Sequence, residues 1–516
     1  MRWLPSFILL VIGPLALASG LRINQEGRIL GPAPSVSQSV LFDTAAADSV
    51  VSAMQIMPVT NPWNENVSRL PLLVNSGTMI GQIISDLGSG RGTLRAFYEM
   101  NYALVPDNQP NVSIYFFNYP DQSDLNGGTS PNGLYPIPTN LPIESWPVET
   151  GTLTLLEWQE DVNNDGGDRH AIMVKPGAGY IYETWETLLD DGAWQASNGA
   201  IFNLNSNGLR PDGWTSGDAA GLPMFPAVVR YDECERGMVE HAVRLVVKRT
   251  RVGHIYPATH DASVGNLTNP NIPAMGQRIR LKSSFVIPST YTIEEKAVLL
   301  ALKKYGGLVA DNGNFFSFSV CPDDRFSANA FSDISSISIS NFEVVESTGS
   351  NGGPRSPGAP TASAGNDQWI PFGAVASLQG VVTGSSPSIQ WTMYSGPGTV
   401  TFGNANQAAT TASFSLPGSY TLELAADDGV HAVAYDAINV NVSFNASAAT
   451  SGNNFLVSFP SIAGHTYRVE WATDLVSNSW TTLADNIAGT GATIVVTDTN
   501  ALVTQQCRFY HVKVLQ

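Results

Sequence analysis

From Ser347 to Pro360 the chain reads STGSNGGPRSPGAP, a stretch dominated by glycine, serine and proline. Ordering such a backbone costs conformational entropy, and the segment has almost no apolar surface to bury in return, so it reads as a linker. The chain must then fold as separate units on either side of it. Residues 19–346 are expected to form one large N-terminal domain, and residues 361–443 and 444–516 two small ones. A length of 516 residues agrees with about three domains.

The fold class follows from the patterning. Gly, Pro, Ser, Thr and aromatic residues are abundant and long helical periods are few, which indicates mostly β structure. AIMVKPG, GYIYETWE, HAVRLVV, RIRLKSSFVI and FFSFSV read as strands. In RIRLK, Arg278, Arg280 and Lys282 alternate with Ile279 and Leu281, which predicts one cationic face and one buried face. Ile293 to Tyr305 is the one convincing helix, with Glu294 and Glu295 at its start, Lys303 and Lys304 at its end and Gly306 as terminator. Many strands, long polar loops and one crossing helix suggest a β-sandwich or jelly-roll-like N-terminal domain whose concave face carries a ligand.

Arg2 precedes an apolar run, Leu4 to Leu17, closed by Ala16-Leu17-Ala18. This is the pattern of a secretory signal over residues 1–18, and it predicts a secreted, extracellular protein. No later stretch approaches ~18 uninterrupted apolar residues, so no integral membrane segment is expected. A net charge of −18 and a pI near 4.7 argue against nucleic acid as partner. Cys234, Cys321 and Cys507 are too few for a disulfide scaffold and too dispersed for a compact zinc cluster. Either a Cys234–Cys321 bridge or buried free thiols would fit.

Reactive side chains concentrate between Gly208 and His260, although charged residues make up only 14% of the chain. The acidic candidates are Asp212, Asp218 and Glu233, with Glu183 and Asp311 behind them; His241 and His260 are the imidazole candidates. Glycoside hydrolysis needs two carboxylates, one with a raised pKa as the acid, and RPDGWTSGD could place one beside Trp214, on which a sugar could stack. The plain alternative is that Asp212 and Asp218 cap turns. A polysaccharide lyase would instead need cations to neutralise a uronate, for which Arg210, Arg244, Arg280 and Lys282 are the substrate-binding candidates. His170, His241 and His260 come from separate segments and could converge on a divalent metal such as zinc, copper or calcium. No pair of them has chelating spacing, and hydrogen-bonded structural histidines are the alternative. A phosphate loop, a GxSxG elbow and HExxH are all missing from the sequence.

Two resemblances add to this reading. Ala364-Gly365-Asn366-Asp367-Gln368, Trp391, Ser395-Gly396-Pro397-Gly398, Pro417-Gly418-Ser419-Tyr420 and Asp427-Asp428-Gly429 make the segment from about Thr361 to Ser443 resemble a PKD domain. That resemblance implies an immunoglobulin-like sandwich acting as a spacer or binding module, with Trp391 in its core. Residues 455–516 look like the small β-sandwich found at the C-terminus of many secreted bacterial proteins. There Trp471, Trp480 and Tyr510 could form a sugar-stacking platform, although strand aromatics more often pack inward.

The N-terminal unit is similar to a family of secreted bacterial proteins of uncharacterised function. The shared runs are NPWN at Asn61, YPIP at Tyr135 with Pro142-Ile143-Glu144, Asp168-Arg169-His170, Tyr182-Glu183, and GLRPDGWTS with DAAGLP. They continue through Arg230-Tyr231-Asp232-Glu233, Glu240-His241-Ala242, Pro257-Ala258 with His260, PAMGQRIRLK, Tyr305-Gly306 and Ala310-Asp311-Asn312-Gly313. Lys175 and Gly179 stand where that pattern has Asp and Cys, and residues 126–132 lengthen the loop before YPIP. The combined expectation is a carbohydrate-active enzyme cleaving extracellular polysaccharide, as a glycoside hydrolase or a lyase. The competing expectation is a non-catalytic carbohydrate-binding or cell-surface adhesion protein.

Overall fold

The computed structural model describes residues 21–515, apart from 165–166, 264, 266, 350–357, 477–478 and 505–506. The expected signal segment, residues 1–18, and most of the linker lie outside the described residues. The chain is mostly β. It divides into two compact units, Arg22–Ala359 with Asp428–Ala432, and Pro360–Asp427 with Val433–Gln516. No helix among the described residues is long and apolar enough to cross a membrane.

Among the described residues three sheets build the first unit. The largest has six strands in the order Phe342–Val344, Arg278–Leu281, Gly307–Asn312, Val243–Val247, Phe316–Val320, Leu94–Tyr98. It is mixed: Val243–Val247 runs parallel to Gly307–Asn312, Phe316–Val320 runs parallel to Leu94–Tyr98, and the other neighbours are antiparallel. Parallel pairs are usually covered on both faces, and here every residue of Val243–Val247 and of Phe316–Val320 is buried. A second sheet, of five strands, includes Ala171–Lys175, Tyr180–Trp185 and Asn198–Asn203. Its inward residues Ile172, Val174 and Ile181 share one core with Val243, Leu245 and Phe318 of the first sheet. A four-stranded sheet closes a smaller core around Ile114, Phe116, Tyr135 and Trp194.

Ile293–Lys304 is the expected helix. Its N-terminus is fixed by a capping box, in which Glu295 N donates to Thr292 Oγ1 at 3.1 Å and Thr292 N donates to Glu295 Oε2 at 3.0 Å. The chain leaves it through Gly306 at φ +64°, where a Cβ would stand 2.5 Å from the Ile279 carbonyl oxygen. A second twelve-residue helix, Ser76–Leu87, was not expected. Met79, Ile80, Ile83 and Leu87 give it a buried stripe, but Gly77 and Gly81 weaken the helical signal in its sequence.

In the second unit the segment after the linker pairs Gln368–Pro371, Ala434–Ser443, Gly418–Asp427 and Ser388–Ser395 in one sheet and Ala376–Gln379, Ala409–Phe414 and Val400–Phe402 in another. Trp391 is 1% exposed and donates its indole N–H to the Ala408 carbonyl at 3.0 Å, so it is a core residue. The last segment forms two three-stranded sheets, with Phe455, Phe459 and Tyr467 in its core.

Candidate functional site

The site grows from one guanidinium. Arg244 lies on Val243–Val247 with its side chain 3% exposed, and four groups converge on it. Nε donates to Asp218 Oδ2 at 2.8 Å and Nη2 to Asp218 Oδ1 at 3.0 Å, a bidentate pair. Nη2 also donates to Asp311 Oδ2 at 2.6 Å, while Nη1 donates to Ser319 Oγ at 3.4 Å and lies 3.7 Å from Glu99 Oε1. Ser319 in turn donates to Glu99 Oε1 at 2.5 Å.

Local structure explains the convergence. Arg244 and Asp311 sit on the adjacent parallel strands, and Asp218 is held by the Ser216 hydroxyl, which accepts from the Asp218 N–H at 2.9 Å. Ala220 N donates to the Ala310 carbonyl at 3.0 Å, docking the DAAGLP loop on the same strand as Asp311. The His260 ring is placed by this loop too. Its Nδ1 lies 2.8 Å from the Ala219 carbonyl, which can only accept, so Nδ1 carries the proton and the neutral tautomer presents the lone pair of Nε2. His260 is partly exposed.

Burial sets the electrostatics. It pushes the Glu99 carboxyl up to about 7, against the pull of Arg244 and with repulsion from Glu144. It lifts Asp311 to about 6, with Arg244 opposing and Asp218 and Asp168 adding like charge. Both side chains still reach solvent, Glu99 at 24% and Asp311 at 21% exposure. Next to them burial disfavours a charged His170, but Glu144 Oε2, 2.9 Å from Nδ1, raises the ring to about 9. Glu183 is sealed: burial lifts it to about 7 although it accepts from the Met224 and Phe225 N–H groups.

The sequence-derived candidates therefore separate. Asp218, Arg244 and Asp311 are brought together, and His260 is held by the carbonyls of Ala219 and Ala220, the residues that follow Asp218. Asp218, its side chain 1% exposed, is a buried partner of Arg244, which leaves no room for it as an open acid or base. Asp212 lies apart in a turn closed by Trp214 N donating to Pro211 O; its side chain is 91% exposed and meets His254 Nε2 at 2.9 Å. Trp214 is partly buried, with Arg210 stacked on its ring at 5.5 Å.

Glu233 and His241 belong to a second buried network. Arg230 Nη2 donates to Glu233 Oε1 at 2.5 Å, and His241 Nε2 lies 3.1 Å from Glu233 Oε2. Burial would raise Glu233, yet Arg230 and His241 together bring it down to about 2. His241 Nδ1 is 2.8 Å from the Ala242 carbonyl, so both of its ring nitrogens are committed to protein acceptors.

The proposed three-histidine metal centre is corrected here. His170 is turned to Glu144, His241 to Glu233 and His260 to Ala219, each held by its own local partner rather than by a shared point. Among the described residues no group of three His, Cys, Asp or Glu side chains is placed to hold a metal ion. Cys234 and Cys321 are buried free thiols and Cys507 is an exposed one.

The cationic strand face is corrected as well. Arg278 is 3% exposed and donates to the carbonyls of Tyr305 and Pro62; Arg280 is 9% exposed and donates to Glu343 and to the carbonyls of Val67 and Leu70. Lys282 donates to the Ser340 carbonyl at 2.8 Å. The two arginines are buried inside the unit and are not presented to a ligand, while Lys282 is partly exposed. Arg210 is likewise buried, paired with Asp124 and with the Gln122 carbonyl. In the C-terminal segment, Tyr510 stacks on Phe455 at 4.5 Å and pairs in register with Trp471, whereas Trp480 stacks on His511, one residue along. Alternation puts Trp480 on the other side of the sheet, so the three aromatics make no common platform.

Glu99, Glu144 and Ser319 were missed as site residues. Glu144 was in view as part of the PIE run; Glu99 follows a strand and carries no motif signal at all.

The class defined by these observations is a multidomain, mostly β protein with a charged internal site in its first unit. Residues 364–442 match a family of PKD domains. No curated protein matches the chain.

Proposed function

We propose that the first unit is a secreted enzyme that hydrolyses an extracellular polysaccharide by general acid–base catalysis, with Glu99 and Asp311 as the two working carboxyls. The observation carrying this reading is that both partly exposed groups engage one buried guanidinium and are raised by burial to about 7 and about 6. A carboxyl poised there can protonate a leaving oxygen near neutral pH, and its ionised neighbour can activate water. Arg244 holds the geometry without supplying or taking protons.

Between hydrolase and lyase the charge distribution supports the hydrolase reading. A uronate would need free cations, but Arg278 and Arg280 are buried on carbonyls, and the solvent-reached groups around Arg244 are Glu99, Asp311, Glu144 and Asp168. This acidic surround favours a neutral polysaccharide. The PKD domain fits such an enzyme as a spacer or binding module, by analogy of layout. The second reading, a non-catalytic carbohydrate-binding or adhesion protein, is favoured by the internal pairing of Asp218, Arg244, Glu233 and His241.

The test is release of reducing ends from neutral and acidic polysaccharides, with ultraviolet absorbance reporting any unsaturated product. Glu99→Gln and Asp311→Asn should each cut hydrolysis by about 10²–10⁴-fold while remaining folded. Unsaturated product would establish a lyase. Folded variants with full activity would remove this pair from the chemistry, and no turnover on any polymer that the protein binds would favour the second reading.

A further inference from the structure

A cavity of about 230 Å³ in the first unit is lined by the aromatic residues Phe42, Tyr98 and Phe326 and by the carboxylates Asp43, Asp323 and Asp324. It is separate from the Arg244 network. Tyr98 is the last residue of its strand and Glu99 the next; successive side chains point to opposite sides, so Tyr98 turns to the cavity while Glu99 reaches Arg244.

The aromatic wall is rigid because its rings brace one another. Tyr98 meets Phe326 edge-on at 5.9 Å, and both pack on Phe331, at 5.9 and 5.5 Å. Of the three carboxylates on the charged wall only Asp323 has a salt-bridge partner among the described residues, Arg325. Arg325 is engaged by Asp323 and Asp48 and lies over the Tyr231 ring at 4.2 Å, and it only partly offsets the repulsion at Asp43. Asp43 and Asp324 form no ion pair among the described residues. Burial and the neighbouring Asp323 and Asp324 raise the Asp43 pKa, a sign that an added positive charge would be welcome there.

Aromatic faces and unpaired carboxylates attract one ligand chemistry in common, an organic cation: ring quadrupoles hold the alkylated nitrogen and the carboxylates supply charge. We propose that this cavity binds an alkylammonium group. The inference does not depend on the hydrolase reading, since none of the residues used belongs to the acid–base pair.

Calorimetric titration of the full chain tests it with three probes: choline, n-butylammonium, and 3,3-dimethylbutan-1-ol, the neutral isostere of choline. Both cations should bind, and the alcohol should bind at least about tenfold more weakly. Choline ahead of butylammonium would assign a quaternary head held by the rings; the reverse order would assign a primary amine donating to the carboxylates. Asp43→Asn should weaken cation binding about tenfold, and the exposed Asp324→Asn provides a second measurement should the first variant not fold. Equal binding of alcohol and cations, no binding of either cation, or unchanged affinity in the folded variants would overturn the proposal.

Discussion

Arg244 and Asp218 face each other through two parallel hydrogen bonds of 2.8 and 3.0 Å, with side chains only 3% and 1% exposed. Charges so placed are costly to bury and costlier to separate. Asp218→Asn leaves the guanidinium with Asp311, Ser319 and half of its former partner. We expect a loss of about 3 kcal/mol, read as a fall in Tm of roughly 5 °C or more. A variant that unfolds with wild-type Tm would show that Asp311 alone balances Arg244.

The second network behaves in the same way. His241→Ala removes one of the partners that, with Arg230 and Arg236, keep Glu233 ionised at its buried position. The outcome is a thermal destabilisation of about 2–3 kcal/mol. Turnover per folded molecule should stay at the wild-type level, and a selective loss of activity at unchanged Tm would return His241 to the chemistry.

Stability should fall as pH rises from about 4 to about 9. Glu99, Glu183 and Asp311 are raised to about 7, 7 and 6, so between the ordinary carboxyl range and those values the folded state holds protons that the unfolded chain has released. Their contribution is complete at low pH and is lost as pH climbs through the folded values. His170, raised to about 9, extends the decline, since its stabilising proton leaves above the ordinary histidine range. Glu233, lowered to about 2, works in the opposite sense and is lost as pH falls from about 4.5 to 2. Thermal midpoints measured in steps of pH should therefore peak near pH 4, and a maximum above pH 8 would contradict this assignment.

The first unit should fold without the two C-terminal domains, provided its own C-terminal edge is kept. Glu346 N donates to the Pro71 carbonyl at 2.9 Å and Thr348 Oγ1 to Glu65 Oε2 at 3.0 Å. A chain ending at Gly349 is expected to unfold cooperatively in a single transition, and one ending at Val345 to be less stable by about 1–2 kcal/mol. Aggregation of the longer chain under conditions where the full protein is soluble would argue against independence.

Gly306 offers a local check on the fold. An alanine there would need a left-handed backbone and a Cβ 2.5 Å from the Ile279 carbonyl. Gly306→Ala should cost about 2 kcal/mol or more, seen as an earlier denaturant midpoint with an unchanged slope.

The local elements were legible along the chain. Alternation marked AIMVK, YIYETW, VRLVV and FSFSV as strands, charge and capping marked Ile293–Lys304 as a helix, and turn residues marked the PKD-type segment, because period and cap chemistry are properties of neighbouring residues. Alternation does not say what covers a strand. In RIRLK the alternation predicts a cationic face, yet Arg278 and Arg280 are buried, as are the polar residues Arg244, Ser317 and Ser319 of VRLVV and FSFSV, the arginines and Ser319 on internal carboxylates and carbonyls. Packing of distant segments settled that. It brought Glu99, Asp218 and Asp311, far apart in the chain, onto one guanidinium, and it turned His170, His241 and His260 to three different partners. The pKa of a carboxyl depends on its solvent shell and on charges within a few ångströms, and both are set by contacts across the chain rather than along it.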